Sequence, residues 1–360
     1  MRNPILRSSN ARSRRELLQF ATGGALTLLL TACQRTPKEQ RDRVLTALVE
    51  ELIVPDTHAL SQKSRKLETS LTEFVRQPSE STLLSSRTEF RSALLAWESA
   101  ACFKSGPILS TGSLLRVMFW PTKTVALDGL IRSHAALDQL STLPVDQKGL
   151  FAIEHLLFPD GAQAGDLQSR LISPEGERSR WLLCGLAALV SEAARATEQA
   201  LGDGTEFRRS LLDGDHESIK LVLNNIGSTV SSVITDPGAV LRTEVESAPS
   251  DVRGGASGLA FAITESRITA AQRLYSGKSS ACLAALVQAT APDVHMQVVT
   301  DFERALTGLR ALPANVAPAL APASARRAAA GAIHTLEVVV KNDLATALGV
   351  PLLFGLPHED

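Results

Sequence analysis

The chain has 360 residues, and its 37 Lys and Arg nearly balance its 38 Asp and Glu. With 44% apolar residues it is too apolar for a disordered chain, and it lacks the basic excess of a nucleic-acid binder. Its single Tyr argues against a platform of stacked aromatic rings for bases or sugars. Ala, Leu and Val supply most of the apolar content, and this composition favours helices.

Residues 1–32 have the composition of a cleaved signal peptide. Five arginines precede an apolar run from Phe20 to Ala32, which is too short to span a bilayer as a helix. The run SRRELL at residues 13–18 resembles a twin-arginine export signal, although Leu17 replaces the more usual Phe. We therefore expect export and removal of this segment, which leaves a mature chain with a net charge of −5.

The end of this leader predicts a lipid anchor. Residues 30–33, LTAC, are similar to a bacterial lipobox, in which cleavage before Cys33 leaves its sulfur to carry a diacylglycerol. Gln34 follows the cysteine, and similarity to Gram-negative sorting rules then favours the outer membrane. We expect a lipoprotein of the bacterial cell envelope that faces the periplasm. The alternative is an ordinary cleaved signal in which Cys33 is incidental.

The mature chain predicts an all-α protein of two packed helical bundles. Residues 33–42 are polar and form a predicted tether, and apolar residues then repeat at helical spacing without a convincing strand. Gly and Pro concentrate in residues 161–178. We predict that this joint links an N-terminal bundle, residues 43–160, to a C-terminal bundle, residues 179–356.

The remaining cysteines and several absent motifs narrow the chemistry. Cys102, Cys184 and Cys282 lie in apolar helical patterns and are expected to be buried small side chains, with a disulfide pair left open by their spacing. The chain has no Walker loop, Rossmann glycine fingerprint, Cys-x-x-Cys, His-Glu-x-x-His or Gly-x-Ser-x-Gly motif. Common nucleotide-binding, redox and hydrolase classes therefore lose support.

Four short segments carry the most informative pattern in the chain. They are AWE at 96–98 with FKSGP at 103–107, MFWP at 118–121, KGLFAIEHLLF at 148–158 and ALGVPLLF at 347–354. In this order and spacing they resemble the imelysin family of bacterial envelope proteins, also called insulin-cleaving membrane proteases or iron-regulated envelope proteins. The likeness runs from Val44 to Phe354 and implies a double four-helix bundle, which agrees with the helical periodicity.

The resemblance also implies a site, because the family carries a Gly-x-His-x-x-Glu motif. The aligned residues here are Gly149, Phe151 and Glu154, so a ring without a lone pair stands where a metal-binding histidine belongs. His155 follows the acid directly, but adjacent residues of a helix do not face each other. We therefore expect a non-catalytic binding or accessory role linked to iron or metal uptake, with a metal ion such as iron as the candidate cofactor or ligand.

Two other functions remain open. One is a metal-dependent peptidase of the imelysin type with Glu154 as metal ligand or general base. Phe151 argues against it, since peptide hydrolysis needs an activated water. The other is a protein-binding envelope scaffold. The expected partners are the membrane, through lipidated Cys33, and iron-uptake or other envelope proteins, with no nucleic acid.

Glu154 has two interpretations, because a carboxylate in an apolar segment is costly to bury unpaired. In one, it lines a ligand or metal pocket with His155 and Trp120. In the other, it is a structural acid that caps a neighbouring helix or pairs with Arg116 or Arg132. Trp120 can equally be a packing and turn residue.

A second, weaker candidate lies on the last helix. His334 and Glu337 are three residues apart and share one helical face with Lys341. They could bind a ligand, but the simpler interpretation is a solvated edge with an ion pair between Glu337 and Lys341.

Overall fold

The computed structural model of the protein describes residues 37–133, 139–158, 164–242, 251–312 and 322–350. The predicted signal peptide, Cys33 and the end of the fourth motif segment lie outside these residues. In the described ranges the regular structure is helical and no strand occurs, which confirms the all-α prediction. None of the described helices is long and apolar enough to cross a membrane.

Thirteen helices of eight or more residues lie in the described ranges. In chain order they are α1 (Lys38–Leu48), α2 (Val54–Arg76), α3 (Glu80–Ala100), α4 (Thr124–Arg132), α5 (Leu150–Leu157), α6 (Ala164–Ile172), α7 (Glu177–Ala200), α8 (Glu206–Asp213), α9 (Asp215–Thr235), α10 (Ala260–Ser276), α11 (Leu283–Thr290), α12 (Pro292–Arg310) and α13 (Ala323–Val339). Shorter helices are Pro107–Ser110, Ser113–Met118 and Ala345–Ala347, with π turns at Val49–Ile53 and Val340–Leu344 and 3₁₀ turns at Leu140–Thr142, Val145–Gln147 and Pro174–Gly176.

The first bundle packs α2, α3, α5 and α7 around one apolar core. On α2, Leu60, Leu67 and Leu71 recur at helical spacing and are fully buried, which is why this stretch folds as an amphipathic helix. Between α2 and α3, the Trp97 Nε1 donates a hydrogen bond of 3.1 Å to the Ser64 Oγ. This bond satisfies the polar atom of the largest side chain in the core.

The second bundle packs α9, α10, α12 and α13 in a ring, with α1 and α11 against it. The double bundle predicted from the sequence is therefore present. The α3 helix of the first bundle lies against α10 of the second. Residues also cross over, since Cys102 and Phe103 contribute to the second core while Leu259 and Ile263 contribute to the first.

The structure corrects the N-terminal boundaries. Helix α1 begins at Lys38, inside the predicted tether 33–42, and Arg41 is buried as it donates hydrogen bonds to both carboxylate oxygens of Asp215. Residues 44–53 belong to the second core and not to the N-terminal bundle. The reason is that their apolar stripe needs a partner face, and α9 provides it.

The predicted joint at residues 161–178 does not link the two bundles. It contains α6 and a 3₁₀ turn, and it joins α5 to α7 within the first bundle. Helix α7 still contributes to the first core, and the chain returns to the second core at Leu201. Gly and Pro density marks breaks between helices, but it does not indicate which break crosses from one core to the other.

The cysteines behave largely as small apolar side chains. Cys102 and Cys282 are buried, Cys184 is partly buried, and all three are free thiols. Burial raises the pKa of Cys102 to about 11, so its thiol stays protonated and unreactive at neutral pH.

We predict that Leu45→Ala lowers the free energy of unfolding by about 2–5 kcal/mol, because it leaves a cavity where α1 completes the second core. Denaturant titration followed by circular dichroism measures this change. Leu84→Ala is the matched control, since Leu84 is 63% exposed and its truncation should change stability by about 0.5 kcal/mol or less. Equal effects of the two substitutions would contradict the placement of α1.

Candidate functional site

A buried ion pair joins the two bundles. Glu98 on α3 is fully buried, and the Nε of Arg267 on α10 donates to its Oε2 at 2.6 Å. The Nη1 of Arg267 also donates to the Asp236 Oδ2 at 3.1 Å, at the end of α9. Burial alone would lower the pKa of Arg267, but Glu98 and Asp236 outweigh burial and raise that pKa. Glu98 faces α10 because its neighbour Trp97, about 100° away around the helix, occupies the first core.

A second guanidinium lies beside this pair. Arg253, in the loop before α10, has its Cζ 5.0 Å from the centroid of the Phe151 ring, and its Nη2 donates to the Met118 carbonyl at 2.7 Å. Its Nε is 3.9 Å from the Glu98 Oε1, and neither of these buried atoms has a hydrogen-bond partner in the described part of the chain. Burial, as the largest cause, lowers the pKa of Arg253. Arg253 is thus held by a ring face and a carbonyl, and it lies within 4 Å of Glu98 and Asp236 without a hydrogen bond to either.

Lys104 supplies a third positive charge. No hydrogen bond and no ion pair within 4 Å reaches its Nζ from the residues that the structure describes. Its pKa is lowered, first by burial and next by repulsion from Arg267. This ammonium therefore loses hydration on folding without gaining a close partner.

Two adjoining cavities open around these charges. One of about 480 Å³ is lined by Glu98 and Lys104, the other has about 240 Å³, and both share Asp236, Arg253 and Arg267 as walls. We call them together the inter-bundle cleft.

Trp120 is a further wall of both cavities. Its ring packs on Gly238, where a Cβ would lie only 3.0 Å from the indole. Leu109 and Leu115 line the larger cavity and are more than half exposed, which gives this cavity an apolar edge. The cleft therefore combines cationic groups with an aromatic and an aliphatic surface.

Glu154 is buried and engaged outside the cleft. Its Oε1 accepts hydrogen bonds from the Ser257 backbone N–H at 2.9 Å and from the Ser257 Oγ at 2.5 Å. It is absent from the described residues that line the two cavities. These bonds hold the loop 251–258 that carries Arg253, as a structural acid would. Arg116, one of the proposed partners, instead donates to the Thr111 carbonyl.

The other predicted site residues separate from Glu154. The Nε2 of His155 lies 3.2 Å from the Asp128 Oδ1, at a partly exposed position. Trp120 does line the cleft. The predicted trio of Glu154, His155 and Trp120 thus does not form one pocket. Among the described residues, no group of three or more His, Cys, Asp or Glu could hold a metal ion, so the donor set around Phe151 and Glu154 does not fit a metal centre.

The weaker candidate on the last helix is a local network. The Lys341 Nζ donates to the Glu337 Oε1 at 2.5 Å, which confirms the expected ion pair, and the His334 Nδ1 lies 3.3 Å from the Glu337 Oε2. The expected solvated edge is wrong for Glu337, which is buried. The pKa of Glu337 is lowered overall. Burial acts to raise this pKa, but the hydrogen bond from Lys341 and weaker contributions from its neighbours outweigh burial.

Four charged residues of the cleft were not predicted from the sequence: Lys104, Asp236, Arg253 and Arg267. A signal existed for two of them. Arg267 interrupts the apolar pattern of α10, and Lys104 lies in the motif segment 103–107. Asp236 and Arg253 lie at either end of a stretch with several Gly residues and have no local pattern that would mark them.

We predict that Arg267→Met lowers the free energy of unfolding by about 3–5 kcal/mol, because it leaves the Glu98 carboxylate buried without its hydrogen-bonded partner. Chemical denaturation measures the change. The control is Arg310→Met, whose ion pair with Glu265 is well exposed and should contribute about 1 kcal/mol or less. A small effect of Arg267→Met would show that the buried pair does not hold the two bundles together.

The chain is similar to known proteins in sequence and in fold. The model of the Imelysin family (Peptidase_M75) matches residues 53–341. An iron-regulated protein A precursor from Parabacteroides distasonis ATCC 8503 has a similar structure, with a TM-score of 0.72, 16% identity, and coverage of 88% of this chain and 96% of that one. An imelysin-like protein from Psychrobacter arcticum 273-4 has a TM-score of 0.70, 15% identity, and coverage of 89% and 98%.

These structural similarities occur at low sequence identity, so they show the fold alone. No curated protein sequence matches the chain significantly. The family match, however, spans well over half of the sequence and includes every residue named in the inter-bundle cleft. It confirms the resemblance that the motif segments carry, and the chain belongs to the imelysin family.

Proposed function

We propose that this imelysin-family protein is a non-catalytic binding component of iron or metal uptake in the bacterial envelope, and that the inter-bundle cleft holds its ligand. The cleft itself carries the proposal. Its larger cavity, of about 480 Å³, falls within the size of small-molecule sites, roughly 300–1,000 Å³. It also has their composition, with apolar walls and a few convergent polar groups.

The link to iron rests on the name of one structurally similar protein. One protein of similar fold carries the name iron-regulated protein A precursor. That name concerns the Parabacteroides protein, and we extend it to this chain as part of the proposal.

The binding role is favoured over a peptidase by the state of the motif residues. The Glu154 Oε1 accepts two hydrogen bonds from Ser257, and the ring of Phe151 supports the Arg253 guanidinium. The motif acid therefore helps to hold a loop, and the position of the motif histidine holds a cation. A general base would need to reach a substrate water, whereas Glu154 is buried and does not line the cleft.

The proposed location rests on the leader. The run LTAC at 30–33 supports lipidation at Cys33, and Gln34 supports the outer membrane with the bundles facing the periplasm. A lipid-anchored binding protein at this place could pass its ligand to iron-uptake or other envelope proteins.

We predict that the full chain, purified in mild detergent, binds at least one member of a panel made of ferric citrate, ferrous salt and zinc salt, and that Trp120→Ala weakens this binding roughly tenfold. The reason is that Trp120 forms a wall of both cavities. Isothermal titration calorimetry measures the affinity.

Trp181→Ala is the matched control, because Trp181 is 53% exposed on α7 and does not line the cleft. Absence of binding across the panel would contradict the proposed function. Cleavage of an unfolded protein that Glu154→Gln abolishes would favour the peptidase instead. Crosslinking to a defined envelope partner without any small ligand would favour the scaffold.

For the anchor, we predict that Cys33→Ala moves the protein from the membrane fraction to the soluble periplasmic fraction, since the substitution removes the sulfur that would carry the lipid. Fractionation followed by immunoblotting measures the distribution. Cys102→Ala is the control, because Cys102 is buried in the fold and should not affect fractionation. Unchanged membrane retention of Cys33→Ala would contradict lipidation.

A further inference from the structure

We propose that the inter-bundle cleft takes a small organic anion, with carboxylate oxygens bound by Lys104 and Arg253, and that metal enters the cleft only as an anionic complex of such a ligand. This inference rests on the proposed function and names the chemical class of its ligand.

The Lys104 ammonium has unused hydrogen-bond donors within the described part of the chain. An ammonium offers three hydrogen-bond donors, yet none of the described residues accepts from this one or pairs with it within 4 Å. The side chain lines the larger cavity and is only partly exposed. A charge that is partly removed from water without a partner is unfavourable, and a bound anion would remove this cost.

Cationic side chains outnumber carboxylates around the larger cavity. Three cations, Lys104, Arg253 and Arg267, line it with two carboxylates, Glu98 and Asp236. Arg267 donates a hydrogen bond to one oxygen of each carboxylate. Arg253 is left with longer separations of 3.9 Å to Glu98 and 3.7 Å to Asp236. The wall therefore has an excess of positive charge that repels a bare metal cation and attracts an anion.

Contacts on two sides fix Arg253 in place. The Phe151 ring lies under its guanidinium, and the Met118 carbonyl accepts a hydrogen bond from its Nη2. Ser257, bound to Glu154, holds the loop from which Arg253 extends. A planar guanidinium positioned in advance is suited to a carboxylate, because two of its N–H groups can donate to the two oxygens at once.

The non-ionic walls favour an organic ligand over a simple inorganic anion. Trp120 presents an indole to the cleft, and Leu109 and Leu115 present exposed aliphatic groups at the edge of the larger cavity. A bare oxyanion would leave these surfaces uncovered. A ligand with several carboxylates and a carbon skeleton matches both kinds of wall.

The test uses the full chain in mild detergent at about pH 7 with four probes: citrate, ferric citrate, inorganic phosphate and zinc chloride. Calorimetry gives the affinities, and thermal unfolding gives the midpoint without ligand. Lys104→Met should weaken citrate and ferric citrate binding by roughly tenfold or more, and Lys104→Arg should restore most of it. Lys104→Met should also raise the unfolding midpoint of the unliganded protein, which a purely structural lysine would not do.

Lys123→Met is the matched control, since the Lys123 side chain is 66% exposed and lies outside the cleft. It should change neither binding nor the midpoint. If Lys104→Met does not fold, as judged by circular dichroism, Lys104→Gln replaces it.

The outcomes separate the inference from the function on which it rests. Binding of zinc but not of citrate, unaffected by Lys104→Met, would overturn the anion proposal and leave a metal-binding function standing. Phosphate binding as tight as citrate binding would contradict the claim that the cleft prefers an organic anion. No binding of any probe would count against both. Citrate binding that requires Lys104 and tolerates Lys104→Arg supports the proposal.

Discussion

The structure depends on a carboxylate that is fully removed from water between two helical bundles. Arg267 reaches Glu98 from the opposite bundle and donates a hydrogen bond to it, and Arg267 also donates to Asp236. An uncompensated charge at this depth would cost several kcal/mol. The pair therefore fixes how α3 meets α10, and with it the walls of the cleft. Arg267 takes the hydrogen bonds to both carboxylates, so Arg253 lies at the longer distances of 3.9 Å from Glu98 and 3.7 Å from Asp236, and Lys104 has no acidic partner within 4 Å among the described residues.

The helices could be predicted from the sequence, but their grouping could not. Apolar periodicity identifies a helix and the face that it buries, as for Leu60, Leu67 and Leu71. It does not identify the partner of that face. The stripe at residues 44–53 would suit either core, and it packs in the second because the chain returns there after Leu201. Likewise, the Gly- and Pro-rich segment 161–178 lies within the first bundle.

The same holds for the site: local motifs identify some of its residues, but their roles depend on contacts with residues far away in the sequence. The motif segments correctly drew attention to Glu98, Trp120 and Phe151, which all contribute to the cleft or support it. The role of each depends on residues more than 100 positions away, such as Arg267 for Glu98 and Arg253 for Phe151. No local spacing encodes such pairings. The replacement of the motif histidine by Phe151 indicated a lost metal ligand, but only the fold shows the guanidinium stacked on that ring.

The most direct test of this account is a crystal structure of the full chain grown with citrate. We predict citrate in the inter-bundle cleft, with carboxylate oxygens within hydrogen-bonding distance of the Lys104 Nζ and the Arg253 guanidinium and with its carbon skeleton against Trp120. The Glu98 to Arg267 pair should be unchanged. A structure in which the Lys104 Nζ pairs with Asp236 and the cleft holds no anion would contradict the central claim.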